Sequence, residues 1–261
     1  MSLQQIRGGV HMLTNERYEL ILNLLNEKKT VKIQELVDVT SASESTIRRD
    51  LNDLEDLNKL DRIHGGATIS ERITKELSIS DKSSKNLQEK IQLATYAASF
   101  VQEGDCIFLD AGTTTMQMIP FLKNNKITVV TNGLTHVELL MENEITTYMT
   151  GGYIKSRTRA LVGPQTIQTL GNYQFDKCFL GVNGFHLEIG YTTPDPEEAA
   201  VKMLASTLSR KTYVVADHSK YNNVSFAAIM PLNKAVLIVS NFNKQAINLL
   251  EQKTTVKVDE S

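Results

Sequence analysis

From Thr14 onward, apolar residues recur at helical spacing: Tyr18, Ile21, Leu22, Leu24 and Leu25 repeat every three or four positions, and Lys28-Lys29 closes the segment. A short β-prone piece, Thr30 to Ile33, leads into a second helix carrying Leu36 and Val37. The cluster Thr40-Ser41-Ala42-Ser43 suits a tight turn and a helix cap. Ser43 is the preferred N-cap, with Ser41 and Glu44 as an alternative capping box. The helix that follows sets Ile47, Leu51, Leu54 and Leu57 on one face and turns Ser45, Thr46, Arg48, Arg49 and Asn52 outward. Lys59 to Ile69 then reads as a hairpin turning at Gly65-Gly66. Two short helices, a tight turn, a third helix with a polar start and a hairpin make a winged helix-turn-helix over residues 12–69.

The pattern changes after that. Residues 70–85 are polar, lack a period and read as a linker. A helix from about Asn86 to Gln102 opens a second domain that runs to residue 252. Its candidate strands are Cys106–Leu109, Thr128–Thr131, Thr146–Thr150, Lys177–Gly181, Tyr213–Ala216 and Val236–Ser240, with helix-like stretches near 115–124, 134–143, 196–210 and 243–252 between them. Short apolar strands alternating with helices predict an α/β fold, a mainly parallel sheet covered on both faces. The first eleven residues, before Met12, match no period and are left out of the fold.

At 261 residues the chain is long enough for one small and one ordinary domain. A net charge of −2 excludes a protein that grips nucleic acid over its whole surface, so DNA contact must be confined to one edge. Residues 12–70 themselves carry eight Lys+Arg against eleven Asp+Glu, which counts against DNA until the acids are placed. Glu16, Glu19, Glu35, Asp53, Glu55 and Asp56 mostly precede or follow the docking edge. No apolar run is long enough to span a bilayer and no signal pattern opens the sequence, so a cytoplasmic protein with no membrane partner is expected. Cys106 and Cys178 lie apart inside apolar runs and read as buried reduced thiols.

Within the first domain Ser43 begins the candidate DNA-binding stretch, in which Ser45, Thr46 and Arg48 are candidates for base edges and Arg49 for a phosphate. Arg62 and the slim His64-Gly65-Gly66 tip suit the DNA backbone. An arginine pair on a helix is, seen alone, more often a solvated face; the surrounding motif outweighs that. In the second domain each strand ends in a small polar loop, where open α/β sheets bind ligands. Asp110-Ala-Gly112-Thr113-Thr114-Thr115 follows the first strand, and its glycine and three threonines at a strand-to-helix turn suit one anion. Thr131-Asn132-Gly133, Gly151-Gly152, Asn183-Gly184 and Asp217-His218-Ser219-Lys220 end later strands. Arg157, Lys202 and Lys220 are candidate cations, whereas Glu197 and Glu198 read as acids favoured in a first helical turn. The five histidines show no metal-ligand spacing; neither metal nor cofactor is expected.

The string Ser43-Glu-Ser-Thr-Ile-Arg-Arg-Asp-Leu51 followed by Arg62-Ile-His-Gly-Gly-Ala67 resembles the signature of the DeoR family of bacterial repressors, and the spacing between the halves matches. Asn58 and Asp61 depart from the usual pattern, which puts Asp61 in doubt as a phosphate contact. The strand-end loops resemble the effector domain of the same family, itself similar in fold to ribose-5-phosphate isomerase. The resemblance implies a homo-oligomer (dimer or tetramer) that binds operator DNA and responds to a phosphorylated sugar. The stretch Gly181 to Lys202 looks most like the fructose-operon branch, for which fructose 1-phosphate is the expected inducer. Two alternatives stand beside it. An isomerase-like enzyme would need a carboxylate base after the fourth strand, where Gly181-Val-Asn-Gly184 has none. A DNA-binding protein whose second domain only mediates oligomerisation would leave the Thr113–Thr115 loop without a ligand.

Overall fold

The computed structural model describes residues 13–56, 59–69, 76, 78–122 and 126–259. The chain divides into two compact units at Arg72/Ile73.

The first unit runs α1 (Thr14–Lys28), β1 (Thr30–Lys32), α2 (Ile33–Thr40), α3 (Glu44–Asp56), β2 (Leu60–Ile63) and β3 (Gly66–Ile69). The strands form an antiparallel sheet in the order β1-β3-β2. Ile21 and Leu25 of α1, Leu36 of α2 and Ile47, Leu51 and Leu54 of α3 close on Val31, Leu60 and Ala67 of the sheet. Ser43 caps α3, accepting the Thr46 amide at 3.2 Å. Ser41 instead ends α2 in the left-handed conformation, and Glu44 pairs with Arg48, so the alternative capping box does not form. The hairpin turns on His64-Gly65, with Gly65 at φ +80°. Gly66 belongs to β3: a Cβ there would lie 2.2 Å from the Val31 carbonyl oxygen, so this glycine serves strand pairing and not the turn. Leu57 and Asn58 lie outside the described residues, as do residues 1–12.

One polar contact locks this small core. Arg17 of α1 donates to both carboxylate oxygens of Asp50 of α3, at 2.7 and 3.0 Å, with both side chains buried. That hydrogen bond, opposed by burial, raises the Arg17 pKa.

The second unit is built on seven parallel strands in the order β15-β14-β12-β9-β4-β5-β6. They are β4 (Cys106–Leu109), β5 (Thr128–Thr131), β6 (Thr146–Met149), β9 (Phe175–Leu180), β12 (Ser209–Ala216), β14 (Val236–Ser240) and β15 (Val256–Asp259). A hairpin of β7 (Tyr153–Ile154) and β8 (Leu161–Val162) and a small sheet of β10 (Gly184–His186), β11 (Gly190–Thr193) and β13 (Ala227–Met230) lie outside the main sheet. The helices are α4 (Ile79–Ser84), α5 (Leu87–Ala98), α6 (Thr113–Met116), α7 (His136–Glu142), α8 (Pro164–Leu170), α9 (Pro196–Thr207) and α10 (Lys244–Glu251). Alternate strand residues feed two cores. Ile107, Leu109, Phe179 and Val215 pack with Leu93, Ala94 and Ala97 of α5, while Phe108, Cys178, Leu180 and Val214 pack with Val201 and Ala205 of α9. Burial on both faces makes the strands read as continuous apolar runs.

Four sequence expectations change here. Residues 79–84 of the expected linker form α4, whose Ser78 cap accepts the Asp81 amide. The stretch 115–124 is not one helix: α6 is a single turn followed by a 3-10 turn at Ile119–Phe121, because Pro120 cannot continue the α-helical bonding. The sheet runs past residue 252, since β15 pairs with β14. Cys106, the first residue of β4, is exposed at the sheet end; only Cys178 is buried, and burial drives its pKa up. Among the described residues no helix is long and apolar enough to cross a membrane.

Removing one partner of the Arg17–Asp50 pair leaves a buried charge unpaired. Arg17→Ala is expected to destabilise the first unit by about 3–5 kcal/mol. Hydrogen exchange should then show α1 and α3 amides opening while those of β4 and β9 stay protected.

Candidate functional site

Strand order reverses between β4 and β9: β5 and β6 build outward from one, β12, β14 and β15 from the other. At such a switch point the loops leaving adjacent strands part and a crevice opens at the carboxyl ends. A pocket open to solvent lies there. Its floor is Asp110-Ala111-Gly112 after β4, Gly181-Val182-Asn183 after β9 and Asp217 after β12, with Thr113 and Thr114 of α6 beside them.

Asp110 holds the floor together. It is 1% exposed, and its Oδ2 takes the Lys202 ammonium of α9 at 2.5 Å and the Gly181 amide at 3.0 Å. Thr115 does not face the pocket; its hydroxyl donates to the Asp110 carbonyl at 2.6 Å and fixes the turn.

Thr131, Asn132 and Gly133 also brace the floor from behind. The Asn132 side-chain oxygen accepts the Ala111 amide at 2.9 Å, and its amide group donates to the Leu161 carbonyl at 3.2 Å. His136 Nε2 sits 3.2 Å from the Gly112 carbonyl, and Nδ1 lies 3.1 Å from the Thr131 hydroxyl, which itself donates to the Leu109 carbonyl at 2.6 Å. A Cβ on Gly133 would lie 2.8 Å from that ring. Burial drives the His136 pKa down to about 4, so the ring is neutral near pH 7.

Of the effector residues expected from sequence, Asp110, Gly112, Thr113, Thr114, Asn183, Lys202 and Lys220 line the pocket. Thr115, Thr131, Asn132, Gly133, Gly152, Arg157 and Gly184 do not. Gly152 is needed where a Cβ would lie 2.1 Å from the Thr166 hydroxyl, and Gly184 where one would lie 2.1 Å from the Asn223 carbonyl oxygen. Arg157 is exposed and meets α4 only through its carbonyl, which accepts the Ile79 amide at 3.0 Å. Lys155 turns inward in its place, to Asp195 at 2.7 Å, Glu76 at 3.0 Å and Glu198 at 3.3 Å. Burial alone would lower the Lys155 pKa, but those carboxylates raise it.

Sequence reasoning missed four charged wall residues: Lys82, Lys85, Lys90 and Glu198. Glu198 is not merely a first-turn acid. It is buried, accepts the Thr158 hydroxyl at 2.7 Å, and is held ionised against its burial by Lys202 and Lys155, so its pKa is lowered. A signal for two of these existed. Lys90 shares the spacing of Leu93, Ala94 and Ala97, and Glu198 that of Val201, Lys202 and Ala205, so each places a charge on its helix's buried stripe. In all, five lysines face three carboxylates (Asp110, Glu198 and Asp217) around the pocket. Such a surplus selects an anion.

Among the described residues one trio, Glu89, Asp217 and His218, brings its ligand atoms within 4.8 Å of one another. Glu89 already accepts the His218 amide and the Ser240 hydroxyl, and Asp217 accepts from Ser219 and Asn86. The trio is a hydrogen-bonded knot, not an open donor set.

In the first unit, α3 and the wing frame a shallow groove lined by Arg48, Glu55, Arg62, Ile63, His64 and Gly65. Ser43, Ser45 and Arg49 are exposed along the same helix. Thr46 is half-buried, with its hydroxyl 2.8 Å from that of Ser43. The Arg48 guanidinium is held by Glu44 at 2.6 Å and the Arg62 guanidinium by Asn52. Two of the acids that weighed against DNA are engaged within the unit: the buried Asp50 pairs with Arg17, and the exposed Asp53 accepts the Tyr18 hydroxyl at 2.8 Å.

The DeoR-like helix-turn-helix domain matches residues 17–73, and the DeoR C terminal sensor domain matches residues 85–241. The chain belongs to the DeoR family. It is 47% identical over 248 residues to the uncharacterized HTH-type transcriptional regulator FruR of Bacillus subtilis (strain 168), covering 95% of this chain and 99% of that one. Over 233 residues it is 36% identical to the HTH-type transcriptional regulator GlpR of Haloferax volcanii, with 88% and 91% covered. A lactose phosphotransferase system repressor of Staphylococcus aureus (strain N315) is 30% identical over 238 residues, with 90% and 94% covered. Ribose 5 phosphate isomerase A of Neisseria gonorrhoeae overlaps 55% of this chain and 56% of its own at 20% identity and a TM-score of 0.40. The family makes this DeoR chain a DNA-binding transcriptional regulator.

The neutral His136 ties the floor to pH. Its folded pKa of about 4 lies below the ordinary 6.5, so on acidification the unfolded chain takes the proton first. Stability of the second unit is fully present above pH 6.5 and is lost as pH falls toward 4, by about 3 kcal/mol from this group. Urea unfolding between pH 7 and 4.5 should show this slope, and His136→Gln should flatten it.

Proposed function

We propose that this DeoR-family regulator represses a fructose uptake and metabolism operon and leaves its operator when fructose 1-phosphate fills the pocket at the β4–β9 switch point. The observation that carries the reading is the pocket's chemistry: a lysine-rich wall for a phosphate beside carboxylate and amide groups that suit sugar hydroxyls. The 47% identity to a regulator named FruR supports the fructose branch, and the Gly181–Lys202 stretch led to the same branch.

In this reading Thr113, Thr114, Lys202 and Lys220 meet the phosphate, and Asp110 and Asn183 orient the sugar. Ser43, Ser45, Thr46, Arg48 and Arg49 of α3 enter the major groove, while Arg62, His64, Gly65 and Gly66 bring the wing to the backbone. Glu44 holds Arg48 until a guanine edge or phosphate replaces it, an exposed pair that costs little to break. The repressor acts as a dimer or tetramer that pairs its helix-turn-helix units on operator half-sites. An effector that binds one arrangement better shifts the population toward it, and the coupling is reciprocal.

An isomerase is disfavoured by the same floor. A proton-transferring base must be free to take a proton, and Asp110 is already engaged by Lys202 and the Gly181 amide. A second unit serving assembly alone leaves the inward lysines unexplained.

A thermal-shift panel of sugar phosphates and their unphosphorylated parents tests the sensor. At ~100 times its dissociation constant, fructose 1-phosphate should stabilise the fold by about 2.7 kcal/mol while fructose does nothing. A shift with fructose as large as with its phosphate overturns the reading. Thr114→Ala should weaken the response without lowering operator affinity. Arg48→Ala or Arg49→Ala should reduce operator affinity at least tenfold and leave the thermal response intact; loss of both would refute the division of labour.

A further inference from the structure

We infer that α4 and the start of α5 supply the phosphate anchor of this pocket, through Lys82 and Lys90, so that the anion ties α4 to the loops of the sheet. The inference rests on the sensor reading above and adds the residues that no strand-end pattern shows.

Three observations converge. Lys82 and Lys90 both line the pocket, together with Asp110–Thr114 of the floor. The Lys90 ammonium is buried and bridges the two sides: it donates to the Lys82 carbonyl of α4 and to the Thr113 hydroxyl of the floor, the latter at 3.2 Å. An ammonium has three donors, so one remains for an anion lying against Thr113 and Thr114. The elbow between the helices is fixed by Asn86, left-handed at φ 53°, whose side-chain amide donates to Asp217 on the pocket floor at 3.1 Å.

The charges around Lys90 tell the same story. Asp217 attracts it, while Lys220, Lys82 and Lys85 oppose its charge; burial dominates and brings its pKa down to about 8. Burial likewise lowers the Lys82 pKa, with Glu198 and Glu76 favouring its charge and Lys202 and Lys220 opposing it. Asp110 and Lys155, the remaining charges of the floor and network, are taken up by Lys202 and by Glu76, Asp195 and Glu198. A dianion among these lysines removes the repulsion and raises both pKa values. Binding near pH 8 therefore takes up protons, and α4 is held through Lys82 and through the Lys82 carbonyl on Lys90.

The test is calorimetric titration of the full-length protein at pH 8 in two buffers of different ionisation enthalpy, with fructose 1-phosphate and with inorganic phosphate. Wild type should take up a fraction of a proton on binding either ligand. Lys90→Gln should reduce that uptake and bind about ten- to a hundredfold more weakly, as one charge-assisted hydrogen bond is worth. Lys82→Gln should bind about tenfold more weakly, and Lys90→Arg should restore affinity without restoring uptake. If Lys82→Gln and Lys90→Gln both bind fructose 1-phosphate like wild type, the anchor is overturned while the sensor stands. If inorganic phosphate binds in a Lys82- and Lys90-dependent way and fructose 1-phosphate does not, the anchor stands and the fructose reading fails. If neither ligand binds wild type, both fall.

Discussion

The buried pair between Asp110 and Lys202 is the constraint on which the sensor unit turns. Asp110 directly follows β4, Lys202 lies in the middle of α9, and the Gly181 amide that completes the carboxylate's partners directly follows β9. One side chain thus joins the two strands between which the sheet reverses and a helix packed on one face. A buried pair stabilises little in net terms, because desolvation opposes the attraction unless the remaining lone pairs are satisfied. Here the glycine amide satisfies one, and the pair fixes geometry more than it adds stability.

The same device recurs in the first unit on a smaller scale. Arg17 and Asp50 join α1 to α3 across the helix-turn-helix core and so set the angle at which α3 presents its outer face. In both units the charge sits on the buried stripe of a helix, at the spacing an apolar residue would otherwise take. Such positions cost stability when unpaired and resist sliding when paired, which suits elements that must hold a register.

This explains how far the sequence could be read. The strands were legible because each is short, apolar and followed by a small polar loop, and burial on both faces of a parallel sheet requires that pattern. The floor residues Asp110, Gly112, Thr113, Thr114 and Asn183 followed from it. Thr131, Asn132 and Gly133 look the same in sequence but point into the floor, because the His136 ring and the Ala111 amide claim their polar atoms. α4 was not legible at all: its sequence, ISDKSS, has no apolar stripe, and its docking is polar, through the Ile79 amide to Arg157 and the neighbouring Glu76 to Lys155. Lys90 was visible as a lysine out of place on an apolar stripe, a signal that periodicity alone discards.

A regulator with this architecture carries a DNA-reading edge in one unit and, in the other, a pocket whose walls include α4 and the start of α5. The most direct measurement is the affinity of the full-length protein for its selected operator duplex, by fluorescence anisotropy at fixed salt, as fructose 1-phosphate is raised to saturation. The account predicts a fall of about 5- to 150-fold, the range of ordinary allosteric coupling, with no change on adding fructose. An operator affinity unchanged at saturating fructose 1-phosphate would contradict it.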